Sequence, residues 1–337
     1  MTEPNDAATA AIAEPLPERM TLGDRLARAM GGEAWTIGLT VVFVALFIVT
    51  LLLRPNYGLE ALAIASLPVA FAAAGQAIVV ISGGIDLSIG SVIALTNVIS
   101  AVLFLNAPEL SVPVVLLVLL IGIVIGAING FLVVISRVPD IVVTLSMLFV
   151  WAGAALLVLP TPGGDSVDWL GDLIDGGLGI DLVPRALVLL LVVVFAVWIP
   201  LRRSRLGLSL YAIGSNQLAA FRSGVNVART KVVSYAFAGF FAALGGLALT
   251  ASTGIGQPVP GPYLLLSVAA IVLGGVSLAG GRGGLLGPII GIFILGLIRA
   301  DLLFLGVEPA FSTVIQGVIM VAVVMLGAYV TLRRRTA

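Results

Sequence analysis

The residues best placed to do chemistry stand in one run, Ser82-Gly83-Gly84-Ile85-Asp86-Leu87-Ser88-Ile89-Gly90-Ser91, a polar break between two long apolar stretches. Its glycines permit backbone conformations that other residues resist, and Asp86, Ser88 and Ser91 can cap the helix that follows. A carboxylate so close to an apolar interior is costly to desolvate, so Asp86 reads as functional. Gly83, Gly84, Asp86 and Ser88 therefore stand as a candidate gate, with a capped tight turn as the equal alternative. A second set, Gln76, Thr96, Asn97, Asn129, Thr144, Ser146, Ser267, Ser312, Thr313 and Gln316, places amides and hydroxyls inside apolar segments. Such groups can exchange hydrogen bonds with the hydroxyls of a neutral polar solute. They serve equally well as helix-to-helix bonds, worth about 0.6 to 2 kcal/mol each. Gln76, Asn97 and Asn129 are the strongest candidates for lining a pathway, while Gly122, Gly126 and Gly130 read as a close-packing face beside Asn129.

Bond-making chemistry is poorly served. The 337 residues include no His and no Cys, which removes the imidazole base, the thiol nucleophile, the disulfide and the usual zinc or haem ligands. The only lysine, Lys231, stands in Arg229-Thr230-Lys231-Val232, so no GxxxxGK[ST] phosphate loop exists. The chain is expected to be no enzyme and to bind no cofactor of its own; any energy must enter from another subunit. Nothing points to nucleic acid.

The elements that must position these residues follow from composition. With 60% hydrophobic and 10% charged residues and a mean hydropathy of +1.20, the chain is far from a soluble domain, in which about a quarter of residues are charged. An all-α integral membrane protein is expected. Ten apolar segments can be drawn, near 36–53, 60–81, 89–106, 113–135, 141–159, 184–200, 232–252, 263–279, 285–304 and 310–331, each near the ~20 residues that cross a bilayer. A permease-like region of 36–331 thus divides into a first half, 36–200, a connector, 201–231, and a second half, 232–331. Residues 1–35 form a tail with a short interfacial helix over Glu18–Met30, and 332–337 form a second tail. Residues 1–17 lack a basic start followed by an apolar run, so no cleavable signal peptide is expected.

Charge gives the orientation. The connector Leu201–Lys231 carries Arg202, Arg203, Arg205, Arg222, Arg229 and Lys231, six of 17 cations, and no acid. If it faces the cytoplasm, 14 of the 17 cations do, and only Arg54, Arg185 and Arg299 fall outside. Both termini are then cytoplasmic, and the acidic stretch 160–183 is external. The halves also look like diverged copies. At an offset of 170, Gly84-Ile85 pairs with Gly254-Ile255, Gly126 with Gly296 and Pro139 with Pro309. Copies of that kind enter the membrane from opposite sides and leave a pathway between them.

The connector's Tyr211-Ala212-Ile213-Gly214-Ser215-Asn216, followed by Ala219-Ala220 and Ser223-Gly224-Val225, resembles the coupling segment of ABC-transporter permeases of the ribose/xylose type. The GGIDLS run resembles that family's most specific signature, and Gly261–Gly284 resembles a third motif. The resemblance covers about residues 36–331. It implies a type II importer-like fold of about ten helices and a second permease copy. It further implies a cytoplasmic ATP-binding subunit that carries ATP and Mg, and an extracytoplasmic sugar-binding protein. It also implies that Gly214, Asn216, Ala219, Ala220, Arg222, Ser223 and Gly224 couple to the ATPase. One departure is Asn216-Gln217, where the family often has Asn-Pro-Glu. The implied function is import of a monosaccharide, such as a pentose or related polyol. The alternatives are a permease for nucleosides or branched-chain amino acids, and an ion-coupled secondary carrier.

Overall fold

The computed structural model describes residues 22–55, 57–177, 183–308, 310–319, 321–322 and 325, with side chains from Trp35 onward. Its regular elements are helices: α1 (Leu22–Leu53), α2 (Leu59–Ile81), α3 (Ile89–Asn106), α4 (Ser111–Ser136), α5 (Asp140–Val158), α6 (Asp168–Asp172), α7 (Arg185–Arg203), α8 (Arg205–Ser215), α9 (Gln217–Arg222), α10 (Val227–Thr253), α11 (Tyr263–Leu273), α12 (Leu286–Phe304) and α13 (Ala310–Ile319). An apolar chain in lipid must satisfy its backbone internally, and the helix does so within one segment. The connector helices begin on polar caps instead. Ser204, Asn216 and Asn226 accept the backbone amides of Gly207, Ala219 and Arg229.

Eight of the described helices are long and apolar enough to span a membrane. The expected segment 263–279 is helical only to Leu273, and eleven residues reach about 16 Å of a ~30 Å hydrocarbon core. Helix α11 stops because Gly275 turns left-handed (φ 79°), letting its amide reach Val272 and the Val276 amide reach Ile271, at 3.0 and 2.9 Å. The last expected segment is described as α13, and much of its remainder lies outside the described residues. The expected interfacial helix is not a separate element over its described part, because α1 runs unbroken from Leu22 into the first span. Its start, residues 18–21, lies outside the described residues.

Helix α10 is the central post. Its flank is tiled against the glycine face of α4: a Cβ at Gly122 would strike the Gly239 carbonyl, one at Gly126 the Tyr235 carbonyl, and one at Gly130 would lie 2.8 Å from Val232 Cα. Another face meets α2 in antiparallel fashion. Ser82 touches Ser234 at one end, Gly75 lies against Ala238 and Phe241, and Gly245 reaches the Pro68 carbonyl. Helix α2 is 89% buried over its apolar window against 11% for α5, so α2 and α10 form the core while α5 offers most of its surface to lipid.

Candidate functional site

The Ser82–Ser88 loop joins α2 to α3 at the end of the bundle that carries the connector. Its geometry begins with Gly83, whose φ of 80° lets the amides of Gly83 and Gly84 close on Val80 and Val79 at 2.9 and 3.1 Å. A residue with a Cβ resists that conformation. The turn carries Asp86 inward, where it is 2% exposed and accepts the Ser88 amide at 2.8 Å and the Ser88 hydroxyl at 2.6 Å. Burial pushes the Asp86 carboxyl above its usual range, and the two Ser88 bonds oppose that rise. The Ser88 hydroxyl in turn accepts Asn129 Nδ2 at 2.7 Å, and Asn129 Oδ1 accepts the indole of Trp151 at 3.0 Å. Asp86, Ser88 and Asn129 thus form one hydrogen-bonded chain, from the loop through α4 to α5.

The connector locks onto the same loop from the other side. Gly281 donates its amide to the Ile81 carbonyl at 2.9 Å. A Cβ at Gly214 would run into both of those groups, and one at Gly280 would sit 3.0 Å from both Gly83 and Gly214 Cα. Tyr211 adds a bond from its hydroxyl to the Gly283 carbonyl at 2.7 Å. Three segments far apart in sequence therefore meet backbone to backbone, in a contact only glycine allows. Further along, Asn216 caps α9 through the Ala219 amide at 2.9 Å. Ala220 is buried, and Gly224 ends the helix with φ 84°. Ala219, Arg222 and Ser223 are exposed, as are Leu218 and Phe221. Beside them opens a groove of about 910 Å³, lined in part by Arg137, Asp140, Phe221, Asn226 and Lys231.

Four residues at this site were not legible as a group. Lys231 Nζ lies 3.1 and 3.0 Å from the two oxygens of Asp140, with side chains only 12% and 16% exposed. Tyr235, one turn along α10, brings its hydroxyl within 3.2 Å of Asp140 Oδ2 and 3.3 Å of the Ile85 carbonyl. Thr144, one turn along α5, donates to that same carbonyl at 3.1 Å. Asp140 and Lys231 are 91 positions apart, and the only hint in the sequence is that each stands where a charge borders an apolar segment.

The remaining candidates do not join them. Asn97 sits at the opposite end of the bundle, where its Nδ2 donates to Thr250 at 2.7 Å and to the Ile255 carbonyl at 3.2 Å, and its Oδ1 accepts the Gln257 amide at 2.6 Å. It fastens α3 to α10 and to the loop after α10. Gln76 lies within α2, wholly buried, with neither Oε1 nor Nε2 hydrogen-bonded.

A helical bundle with eight apolar spans among the described residues and a basic two-helix connector folded onto one end is that of a multi-pass membrane protein. The chain belongs to the family described as "Branched-chain amino acid transport system / permease component", which it matches over residues 58–324. It is 34% identical over 266 residues to the ribose import permease protein RbsC of Escherichia coli strain K12, covering 76% of this chain and 81% of that protein. It is 35% identical over 262 residues to RbsC of Bacillus subtilis strain 168, covering 75% and 79%. To the autoinducer 2 import system permease protein LsrD of Escherichia coli O9:H4 it is 30% identical over 263 residues, covering 76% and 79%. No solved structure gives a significant match.

Proposed function

We propose that this chain is the membrane-spanning subunit of an ABC importer that passes a monosaccharide, a pentose such as ribose or xylose or a related polyol, into the cytoplasm. The observation that carries this reading is the similarity to two ribose import permeases at 34% and 35% identity over three quarters of the chain. The family description names branched-chain amino acids, but the one buried amide left without a partner among the described residues, Gln76, is neutral and suits a hydroxyl better than a zwitterion. The solute arrives from an extracytoplasmic binding protein and leaves between two copies of the permease. ATP and Mg bind a separate cytoplasmic subunit that docks on the connector. The exposed Leu218, Phe221 and Arg222 of α9 support that docking face, and the distribution of cations supports a cytoplasmic connector and termini.

In this mechanism the chain makes and breaks no bond. Closure of the ATPases displaces α8 and α9. The glycine contact at Gly214 passes that displacement to the Ser82–Ser88 loop, and the path opens along α2. The wholly buried, unpartnered amide of Gln76 supports a solute contact partway along it. The test is reconstitution with the ATPase and binding protein in proteoliposomes. Deleting Gly214–Gly224 should abolish sugar-stimulated ATP hydrolysis while membrane insertion persists. Unchanged stimulation would sink the coupling assignment, and transport that needs an ion gradient but no ATP would sink the importer.

A further inference from the structure

The connector ends in a second attachment to the Ser82–Ser88 loop, separate from the glycine contact. Lys231, the last residue of the connector, is in the first turns of α10 and holds Asp140 of α5 through both carboxylate oxygens. It is the only ion pair among the described residues. Asp140 is the first residue of α5, where the helix dipole favours its charge. Its Oδ2 accepts the Tyr235 hydroxyl, which also reaches the Ile85 carbonyl, and Thr144 closes on that carbonyl from α5. A Cβ at Gly84 would lie 2.7 Å from Asp140 Oδ2 and 2.9 Å from the Tyr235 hydroxyl, so the loop is pressed directly against the pair. Near the middle of the connector, at the end of α8, Gly214 abuts the Ile81 carbonyl. The loop is therefore held at two points of one segment, by shape at Gly214 and by charge at Lys231.

We infer that the Lys231–Asp140 pair is a latch: with Tyr235 it holds the Ile85 carbonyl, and so keeps the loop between α2 and α3 shut until the connector is displaced. The inference rests on the importer reading for what displaces the connector, but the latch itself is a property of this chain. Lys231, Asp140 and Tyr235 are positioning residues that act on the loop and do not touch solute. A buried pair that only filled space would be replaceable by neutral residues of similar size without consequence. A latch so replaced would leave a folded protein with a loose loop.

The absence of native cysteine makes this measurable. Leu87→Cys, at a half-buried loop position, is labelled from the connector side with a charged methanethiosulfonate reagent. Three backgrounds are compared: the native pair, Asp140→Asn with Lys231→Met, and Tyr235→Phe. The expected result is labelling accelerated about fivefold or more in both variants, with thermal unfolding of the neutral double variant close to that of the parent. Unchanged labelling in both variants overturns the latch. In proteoliposomes with the ATPase and binding protein, the double variant should also hydrolyse more ATP per solute moved; an unchanged ratio counts against it equally. If the parent shows no solute-dependent ATP hydrolysis, the importer reading fails, and the labelling still decides the latch.

Discussion

Gly281 donates its amide to the carbonyl of Ile81 at 2.9 Å, and Gly214 lies so close to this bond that a Cβ there would overlap both partners. The contact joins the end of α2, the end of α8 and the loop before α12.

Replacing Gly214 by Ala should cost about 1–3 kcal/mol, because the obstructing atoms are backbone and cannot rotate away. Gly224→Ala meets open space but a positive φ, and its cost should be near the roughly 1 kcal/mol of a forced left-handed residue. Thermal unfolding separates the two, and only Gly214→Ala should also impair coupled ATP hydrolysis.

Asn129→Leu leaves the Ser88 hydroxyl without a donor and the Trp151 indole without an acceptor. A loss of about 2 kcal/mol is expected from the orphaned groups. Trp151 emission, isolated by difference from a Trp151→Phe variant, should shift; no shift would mean that the indole does not depend on Asn129.

At the opposite end, Asn97→Leu removes the bonds to Thr250, the Ile255 carbonyl and the Gln257 amide. The expected cost is again about 2 to 3 kcal/mol. Proteolysis between Ile255 and Pro262 should quicken, while the Ser82–Ser88 loop keeps its protection.

Asp86 titrates with a raised carboxyl because burial penalises its charge. The folded state then binds its proton more tightly than the unfolded chain. The contribution to stability is complete below the ordinary Asp value of about 3.9 and is lost as pH rises through the folded value. Asp86→Asn should abolish that decline, giving a flatter stability profile above pH ~4, read by unfolding at a series of pH values. A profile identical to that of the parent would mean that Asp86 is not the source.

Gln76→Leu replaces an amide with no partner by a side chain that needs none. Stability should rise by about 1 kcal/mol or more, whereas solute flux should fall if the amide meets the solute. Higher stability with undiminished flux would remove Gln76 from the pathway.

What the sequence made legible follows from where the physics is local. Apolar length marks the spans from α1 to α5, and a basic run marks the connector, because hydrophobic burial and charge placement depend on each residue's own type. The end of α11 was hidden, since Gly274-Gly275 looks like any glycine pair in an apolar run until Gly275 adopts its left-handed turn. The meaning of Asn97 and Asn129 was hidden for another reason. An amide is the same residue whether it meets a solute or another helix, and only the positions of Thr250, Ser88 and Trp151 distinguish the cases. The pairing of Asp140 with Lys231 was hidden because a pair is invisible until the fold brings its members together. Gly83, Gly84, Asp86 and Ser88 stand next to Gly214 in space, although the sequence placed Gly214 in a different set, because their shared neighbourhood depends on a contact between segments distant in the chain.

The glycine contact also has a genetic consequence. Gly214, Gly280 and Gly281 share one volume, so none of the three can be enlarged without another segment giving way, and there is no smaller residue to give. A substitution at any of them can be suppressed only by displacing a helix end. Revertants selected for restored growth on the transported solute should therefore carry second changes in the loops and helix termini around 81–88, 211–216 and 277–285, rather than scattered along the spans. These stretches form a single heritable unit despite the 122 positions between the first and second.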